Sequence, residues 1–169
     1  MDRIDKFEGE YEFLSNFYPC DVEFEGEDYA STEHAYQAAK STDPAVRATF
    51  RAGTPCGSCS GTWAASERET CFICDGKGEV PITPGKAKKM GRKVALRPDW
   101  EQVKNDVMLA LLREKFLDST LRKKLLETGD AELVEGNWWG DVYWGVCEGV
   151  GENHLGRLLM QVRSELAKG

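Results

Sequence analysis

The sequence has no apolar run near the ~20 residues that a membrane-spanning helix needs. Its first residues, M-D-R-I-D-K, lack the apolar stretch of a secretory signal. A soluble, cytoplasmic protein without membrane contact is expected. Positive charge is scarce, with 22 Lys plus Arg against 29 Asp plus Glu and a formal net charge of −7. That balance argues against indiscriminate binding to nucleic acid or anionic membrane, but it leaves room for a local basic groove. Histidine is limited to His34 and His154, and neither has metal-ligand spacing. No G-x-S-x-G, Walker or Rossmann pattern occurs, and no cysteine sits in a nucleophile signature. Serine-hydrolase and P-loop chemistry lose their support.

What is present suits one domain: 169 residues, 41% of them hydrophobic and 30% charged. Four of the six cysteines, Cys56, Cys59, Cys71 and Cys74, fall as C-x2-C-x11-C-x2-C. Two such pairs can close a tetrahedral tetrathiolate around Zn²⁺. The second pair reads C-x-x-C-x-G-x-G in full, while the first has Trp63 where the last glycine would stand. This window resembles the zinc-binding repeats of the DnaJ cysteine-rich region. Disulfides are the alternative, and a reducing cytosol disfavours them. A structural Zn²⁺ would let an insert at residues 54–80 hold its shape without a core. Being a closed site, it would leave the chemistry to other residues. Cys20 and Cys147 are expected to be packed thiols.

The spacing elsewhere predicts a mainly helical domain with a small β element near the N-terminus. A hairpin is expected over 23–29, turning at Gly26. Ser31-Thr32 cap a helix to about Lys40, and Asp43-Pro44 start another to Phe50. Thr83-Pro84 open a basic helix. Asp99 with Gln102 reads as a capping box for a long helix carrying Val103, Val107, Leu111 and Phe116. Ser119 begins a helix ending before Gly129, and Asn153 caps a last helix with a leucine stripe. Residues 131–147 read as irregular or weakly β.

Four segments are polar or aromatic without an evident packing role, the first of them residues 13–19. In the helix after Ser31, Glu33 shares a face with Lys40 and lies in the first turn, where the macrodipole favours a carboxylate. Residues 81–98 hold six basic residues and no acidic one. There Lys86, Lys89 and Arg92 at a helix start suit a phosphate or pyrophosphate. Residues 136–145 contain three of the five tryptophans around Asp141. Aromatic planes beside a carboxylate suit a flat heterocycle, which the rings stack and the acid hydrogen-bonds or protonates. Each of the last three also has a structural explanation: dipole compensation, a solvated face, an aromatic turn.

Taken together and in order, F-L-S-N-F-Y-P at 13–19, S-T-E-H-A-Y-Q-A-A-K at 31–40, R-P-D-W-E-Q-V-K at 97–104, G-N-W-W-G-D-V-Y-W-G at 136–145 and G-E-N-H-L-G-R-L-L-M-Q-V-R at 151–163 resemble the NADAR (YbiA-like) family. The resemblance covers nearly all of residues 1–169 except the cysteine insert. It implies a compact, mostly helical fold and N-glycosidase activity at a bond between ribose C1 and nitrogen. The implied substrate is a phosphorylated ribosyl small molecule, such as a ribosylamino-pyrimidine intermediate of riboflavin synthesis, or ADP-ribosylated guanine in nucleic acid. By motif, the family's important positions map to Glu33, Trp100, Asp141 and Trp144. Asn16 and Asn137, inside matching segments, join Trp100, Trp144, Lys86, Lys89 and Arg92 as expected substrate contacts. Glu33 or Asp141 would place negative charge near C1 and supply a proton. Lys40 would either pair with Glu33 or, desolvated, attack C1 of an opened ribose as a Schiff-base nucleophile; the second is preferred, because an amino sugar opens readily. The competing class is a non-catalytic, zinc-containing module that binds ADP-ribose or nucleic acid.

Overall fold

The computed structural model describes residues 2–55 and 79–168. The four candidate zinc ligands lie outside the described residues.

The chain opens with β1 (Arg3–Ile4) and a 3-10 helix (Gly9–Leu14), then β2 (Val22–Phe24) and β3 (Glu27–Tyr29). β2 and β3 form the expected antiparallel hairpin, with Glu25 and Gly26 both at positive φ, as a tight hairpin turn of matching twist requires. Two short helices follow, α1 (Thr32–Ala38) and α2 (Pro44–Ala48). They are capped as the sequence indicates: Ser31 accepts from the His34 amide and Asp43 from the Ala45 amide, with Pro44 inside the first turn. β4 (Gly53–Pro55) pairs antiparallel with β5 (Glu79–Pro81), which brings together the two ends of the cysteine-bearing segment. α3 (Pro84–Gly91) starts on a Thr83 cap. α4 (Trp100–Lys115) and α5 (Ser119–Glu127) precede β6 (Glu132–Leu133), β7 (Gly136–Asn137) and β8 (Val146–Cys147), and α6 (His154–Lys168) ends the chain.

α4 is the centre of the core. Val107, Met108, Leu111, Leu112 and Phe116 are buried against Leu155, Leu159 and Val162 of α6 on one side and α1 on another. These positions recur at helical spacing, so one apolar stripe per helix closes a single core.

The domain is α/β rather than mainly helical: helices build the core, but short β pairs are spread along the chain and not confined to the N-terminal part. β1 joins β6, and β7 joins β8, each as a two-residue parallel pair. Pairs this short, between segments as far apart as Arg3 and Glu132, leave no alternation in the sequence.

Two caps depart from expectation. Asp99 precedes α4, but its carboxylate accepts from Arg97 Nε at 2.6 Å and Nη2 at 2.9 Å, so no capping box forms. α5 begins at Ser119 as expected, and the Asp118 side chain caps it. Asn153 precedes α6, yet its side chain turns away to bridge the Glu135 amide and the Leu133 carbonyl. The first α6 amides, of His154 and Leu155, donate to the carbonyls of Tyr143 and Trp144 instead. Cys20 and Cys147 are half-buried free thiols, and Cys20 packs against the core as expected.

Candidate active site

One cavity of about 800 Å³ is walled by α1, α3, the start of α4, residues 15–17 and residues 135–144. It gathers most of the expected site residues: Asn16, Glu33, Lys40, Lys89, Arg92, Trp100, Asp141 and Trp144 all line it.

Glu33 sits at its inner end. The helix around it is entirely buried, because each neighbour anchors a different part of the fold. His34 lies between the Ser31 hydroxyl, 2.7 Å from Nδ1, and the Ile82 carbonyl, 2.7 Å from Nε2. A carbonyl only accepts, so Nε2 carries the proton and Nδ1 takes the hydroxyl's; burial, which lowers the imidazole pKa, agrees with this neutral form. The bond to Ile82 sets where α3 begins. The Glu33 amide donates to the Asn16 carbonyl at 3.0 Å, docking residues 15–17 beside the carboxylate. Lys115 braces that loop from below: it is 1% exposed, donates to the Ser15 carbonyl at 2.7 Å, and burial pulls its ammonium down to about 8.

The Glu33 carboxyl is pushed above the usual glutamate range by burial. A 2.7 Å hydrogen bond from Gln37 Nε2 and the charges of Lys88 and Lys40 oppose this, and Asp141 adds to it. Burial also lowers the Lys40 pKa, with Lys88 and Arg92 acting the same way against the pull of Glu33. Lys40 makes no ion pair with Glu33 among the described residues. Its ammonium donates to the Gly91 carbonyl at 3.3 Å and lies 5.8 Å from the Tyr36 ring centre. The pairing option therefore fails in this conformation, and a desolvated amine stays within the cavity.

α3 reaches α1 through Gly91: a Cβ there would lie 1.8 Å from Gln37 Oε1. This close approach aims one stripe of α3 at the site, and the stripe is Gly85, Lys88, Lys89 and Arg92, at i, i+3, i+4 and i+7. Lys86 is one residue out of phase, lies exposed and does not line the cavity. Lys88, another of the six basic residues of that segment, takes its place. Its ammonium lies 5.7 Å from the Phe17 ring centre and 5.6 Å from that of Trp139.

The tryptophan segment is a loop fixed by its backbone. Residues 142–145 accept hydrogen bonds from the amides of 152–155. Asn137 brackets Asp141, donating to its carbonyl at 2.7 Å and accepting from its amide at 3.0 Å. Asn137 is thus a brace and does not line the cavity. Asp141 Oδ1 in turn accepts from the amides of Tyr143 and Trp144, which sets the tryptophan's position. Tyr36 touches both expected indoles, with its ring centre 5.1 Å from Trp100 and 5.5 Å from Trp144. Trp100, Tyr36 and Trp144 so make one aromatic wall, while the open ring faces at the mouth belong to Phe17, Trp138 and Trp139, 40%, 84% and 49% exposed.

Glu135, immediately before the G-N-W-W-G-D segment, also lines the cavity. It follows the buried pair Leu133 and Val134, so nothing local set it apart from a loop acid. Tyr36 and Gln37, on the same helix face as Glu33, also line the cavity, as do Glu101 and Lys104. Among the described residues, no cluster of three or more His, Cys, Asp or Glu side chains is placed to hold a metal. No described helix is long and apolar enough to cross a membrane.

A family model described as the NADAR domain matches residues 4–167. The chain is 33% identical over 162 residues to a protein of Escherichia coli named N-glycosidase YbiA, covering 94% of this chain and 83% of that one. It is 34% identical over 158 residues to a riboflavin biosynthesis protein of Vibrio vulnificus; the match takes in 91% of this chain but only 35% of that longer protein. The NMR structure of E. coli YbiA superposes with a TM-score of 0.72 at 32% identity, over 99% of this chain and 87% of that one.

Proposed function

The chain belongs to the NADAR family, and from that premise we propose that it is an N-glycosidase, hydrolysing the bond between ribose C1 and a nitrogen of a nucleotide-like substrate. The observation that carries this reading is the shared cavity: Glu33, Lys40 and Asp141 line one space with an aromatic wall and a basic edge. Relatives bearing the name N-glycosidase support the bond class. Breaking a ribosyl C–N bond builds positive charge at C1, and Glu33 would offset that charge from inside a water-poor pocket. Lys40 would act as nucleophile. Its neutral amine adds to C1 of the opened sugar, the base departs as an amine once its nitrogen is protonated, and water then hydrolyses the Lys40 imine to restore lysine and free sugar. Lys88, Lys89 and Arg92 would hold substrate phosphates.

Two substrate classes fit. A ribosylamino-pyrimidine of riboflavin synthesis would fill the inner cavity. The exposed rings of Phe17, Trp138 and Trp139 beside the basic stripe support the larger one, ADP-ribosylated guanine in nucleic acid, because solvent-exposed aromatic rings can stack bases outside the pocket. The test is incubation of purified protein with both, with mass detection of the freed base and sugar and borohydride trapping of the imine. Active enzyme without a borohydride-stable adduct at Lys40 rejects the Schiff base, and release of no ribose-containing product from either substrate favours the binding module.

We also propose a structural Zn²⁺ on Cys56, Cys59, Cys71 and Cys74. The β4–β5 pair supports it by closing the ends of their segment. Metal analysis of the purified protein should return one zinc per chain, lost on replacing Cys56 and Cys71 by serine.

A further inference from the structure

We infer that Glu135 is the acid that protonates the leaving nitrogen as the ribosyl C1–N bond breaks. The inference rests on the N-glycosidase reading and goes beyond it by assigning the proton.

A base nitrogen departing with the bond pair is too basic to leave without a proton, so the site needs an acid that is fixed, inside the cavity and protonated at working pH. Four carboxyls line the cavity, and of these Glu101 is exposed and ion-paired with Lys104 at 2.6 Å. Asp141 commits Oδ1 to two backbone amides. Burial raises the Glu33 pKa as well, but its Oε1 already accepts from Gln37 Nε2, and the charges of Lys88 and Lys40 oppose the rise. Glu135 differs from all three. Its Oε2 is buried and has no hydrogen-bond partner among the described residues. A bare carboxylate oxygen in that position would be costly, whereas a carboxylic O–H there is a donor awaiting an acceptor from the substrate.

The surroundings agree. Burial, then the charges of Asp141 from the tryptophan loop and Glu33 from α1, push Glu135 up to about 8, and only Lys88 from α3 opposes them. The backbone holds the residue from both sides: its amide donates to Asn153 Oδ1 at 3.1 Å and its carbonyl accepts from Val146 at 2.9 Å. Gly145 packs against that carbonyl so closely that a Cβ would lie 2.2 Å away. A donor fixed this way moves little between ground and transition states. The glutamates then divide the work, with Glu135 neutral and donating and Glu33 supplying negative charge.

In the step itself, the C1–N pair passes to nitrogen while the Glu135 proton moves to the same nitrogen, leaving Glu135 as carboxylate. Water later gives its hydroxide to C1 and its remaining proton to the enzyme, which restores the acid. Under the Lys40 route the same proton is needed before the amine departs.

The test uses two N-ribosides and the full-length chain. One releases an amine that must be protonated; the other is a pyridinium riboside, whose leaving group departs neutral with no proton added. E135Q should lose roughly 10²–10⁴-fold on the amine substrate and little on the pyridinium one, and the basic limb of the wild-type pH profile should vanish. An equal loss on both, or no loss, overturns the assignment. A readout free of turnover separates this failure from that of the parent reading. The wild-type minus E135Q infrared difference spectrum should carry a protonated-carboxyl stretch that fades as pH rises through about 8. Absence of that band below neutral pH overturns Glu135 as acid even in an active enzyme; a band in a protein that cleaves no N-riboside overturns both readings together.

Discussion

Glu33 and Trp138 line the same cavity, at 5% and 84% exposure. Glu33 is presented by a helix whose every residue is buried, so its own side chain is held by neighbours and its charge is penalised. Trp138 is presented by a loop whose backbone is tied down at Asn137, Asp141 and the start of α6, while its ring faces solvent. Desolvation changes what a group can do chemically, whereas an exposed ring on a fixed backbone changes only what it can hold. The inner wall should therefore govern turnover and the rim affinity.

The sharpest way to break that division is Glu33→Gln. It should lower kcat by roughly 10²–10⁴-fold with ligand binding retained, measured by steady-state kinetics beside calorimetry. Because burial raises the Glu33 pKa, its protonation begins at a pH above the ordinary glutamate range. The acid limb of kcat/KM should accordingly lie above that range and disappear in E33Q. An equal fall in affinity would place Glu33 among the holding residues.

Glu135 extends the comparison to stability. Its folded pKa, about 8, stands above the 4.5 of an ordinary glutamate. The native state thus binds more protons than the unfolded one between those values, and wild-type stability falls as pH rises across the window. E135Q lacks the penalty. Its advantage in denaturant melts should be near zero at about pH 4 and grow to the order of a few kcal/mol by about pH 8. No such growth would mean that Glu135 is solvated like a rim residue.

Gly91→Ala probes what joins the two walls. The added Cβ meets Gln37 Oε1 at 1.8 Å. Gln37 is buried, and its amide can yield only by disturbing its bond to Glu33. A cost of about 1–3 kcal/mol in urea unfolding is expected, with a loss of kcat as α3 shifts. Trp138→Ala should leave kcat alone and raise KM by roughly tenfold if a base stacks there, following the ~1–3 kcal/mol of base–aromatic stacking. It should change nothing for a substrate confined to the inner cavity, so the ratio of the two effects reports the substrate's size.

Much of this architecture was legible because its signals are local. Ser31 and Thr83 cap helices through side chains three residues from their targets, and the apolar stripes of α4 and α6 repeat within single elements. Glu33 could be chosen from its place behind such a cap. Glu135 could not, since its role depends on Asn153, Val146 and Gly145, none of which marks it in sequence. The two-residue strands and the turning away of the Asn153 and Asp99 side chains were hidden for the same reason: their partners sit on other segments. Asn137 was recognised as part of the site, but its work on the Asp141 backbone emerges only from the loop's geometry.

The smallest effect separates contact from field. Lys86 and Lys88 belong to one basic helix and carry the same charge, but only Lys88 falls on the stripe that Gly91 turns toward the cavity. If the basic helix acts by touching a phosphate, Lys88→Ala should raise KM for a phosphorylated substrate up to roughly fivefold, the scale of ~1 kcal/mol for a partly solvated charge, and Lys86→Ala should leave it unchanged. Raising the salt concentration should shrink the Lys88 effect slowly, because its ammonium lies among the rings of Phe17 and Trp139 and is partly shielded from counterions. If both variants instead lose affinity equally, and the loss vanishes at high salt, the helix attracts its substrate only as a distant field. The rim would then hold nothing by contact except through its rings.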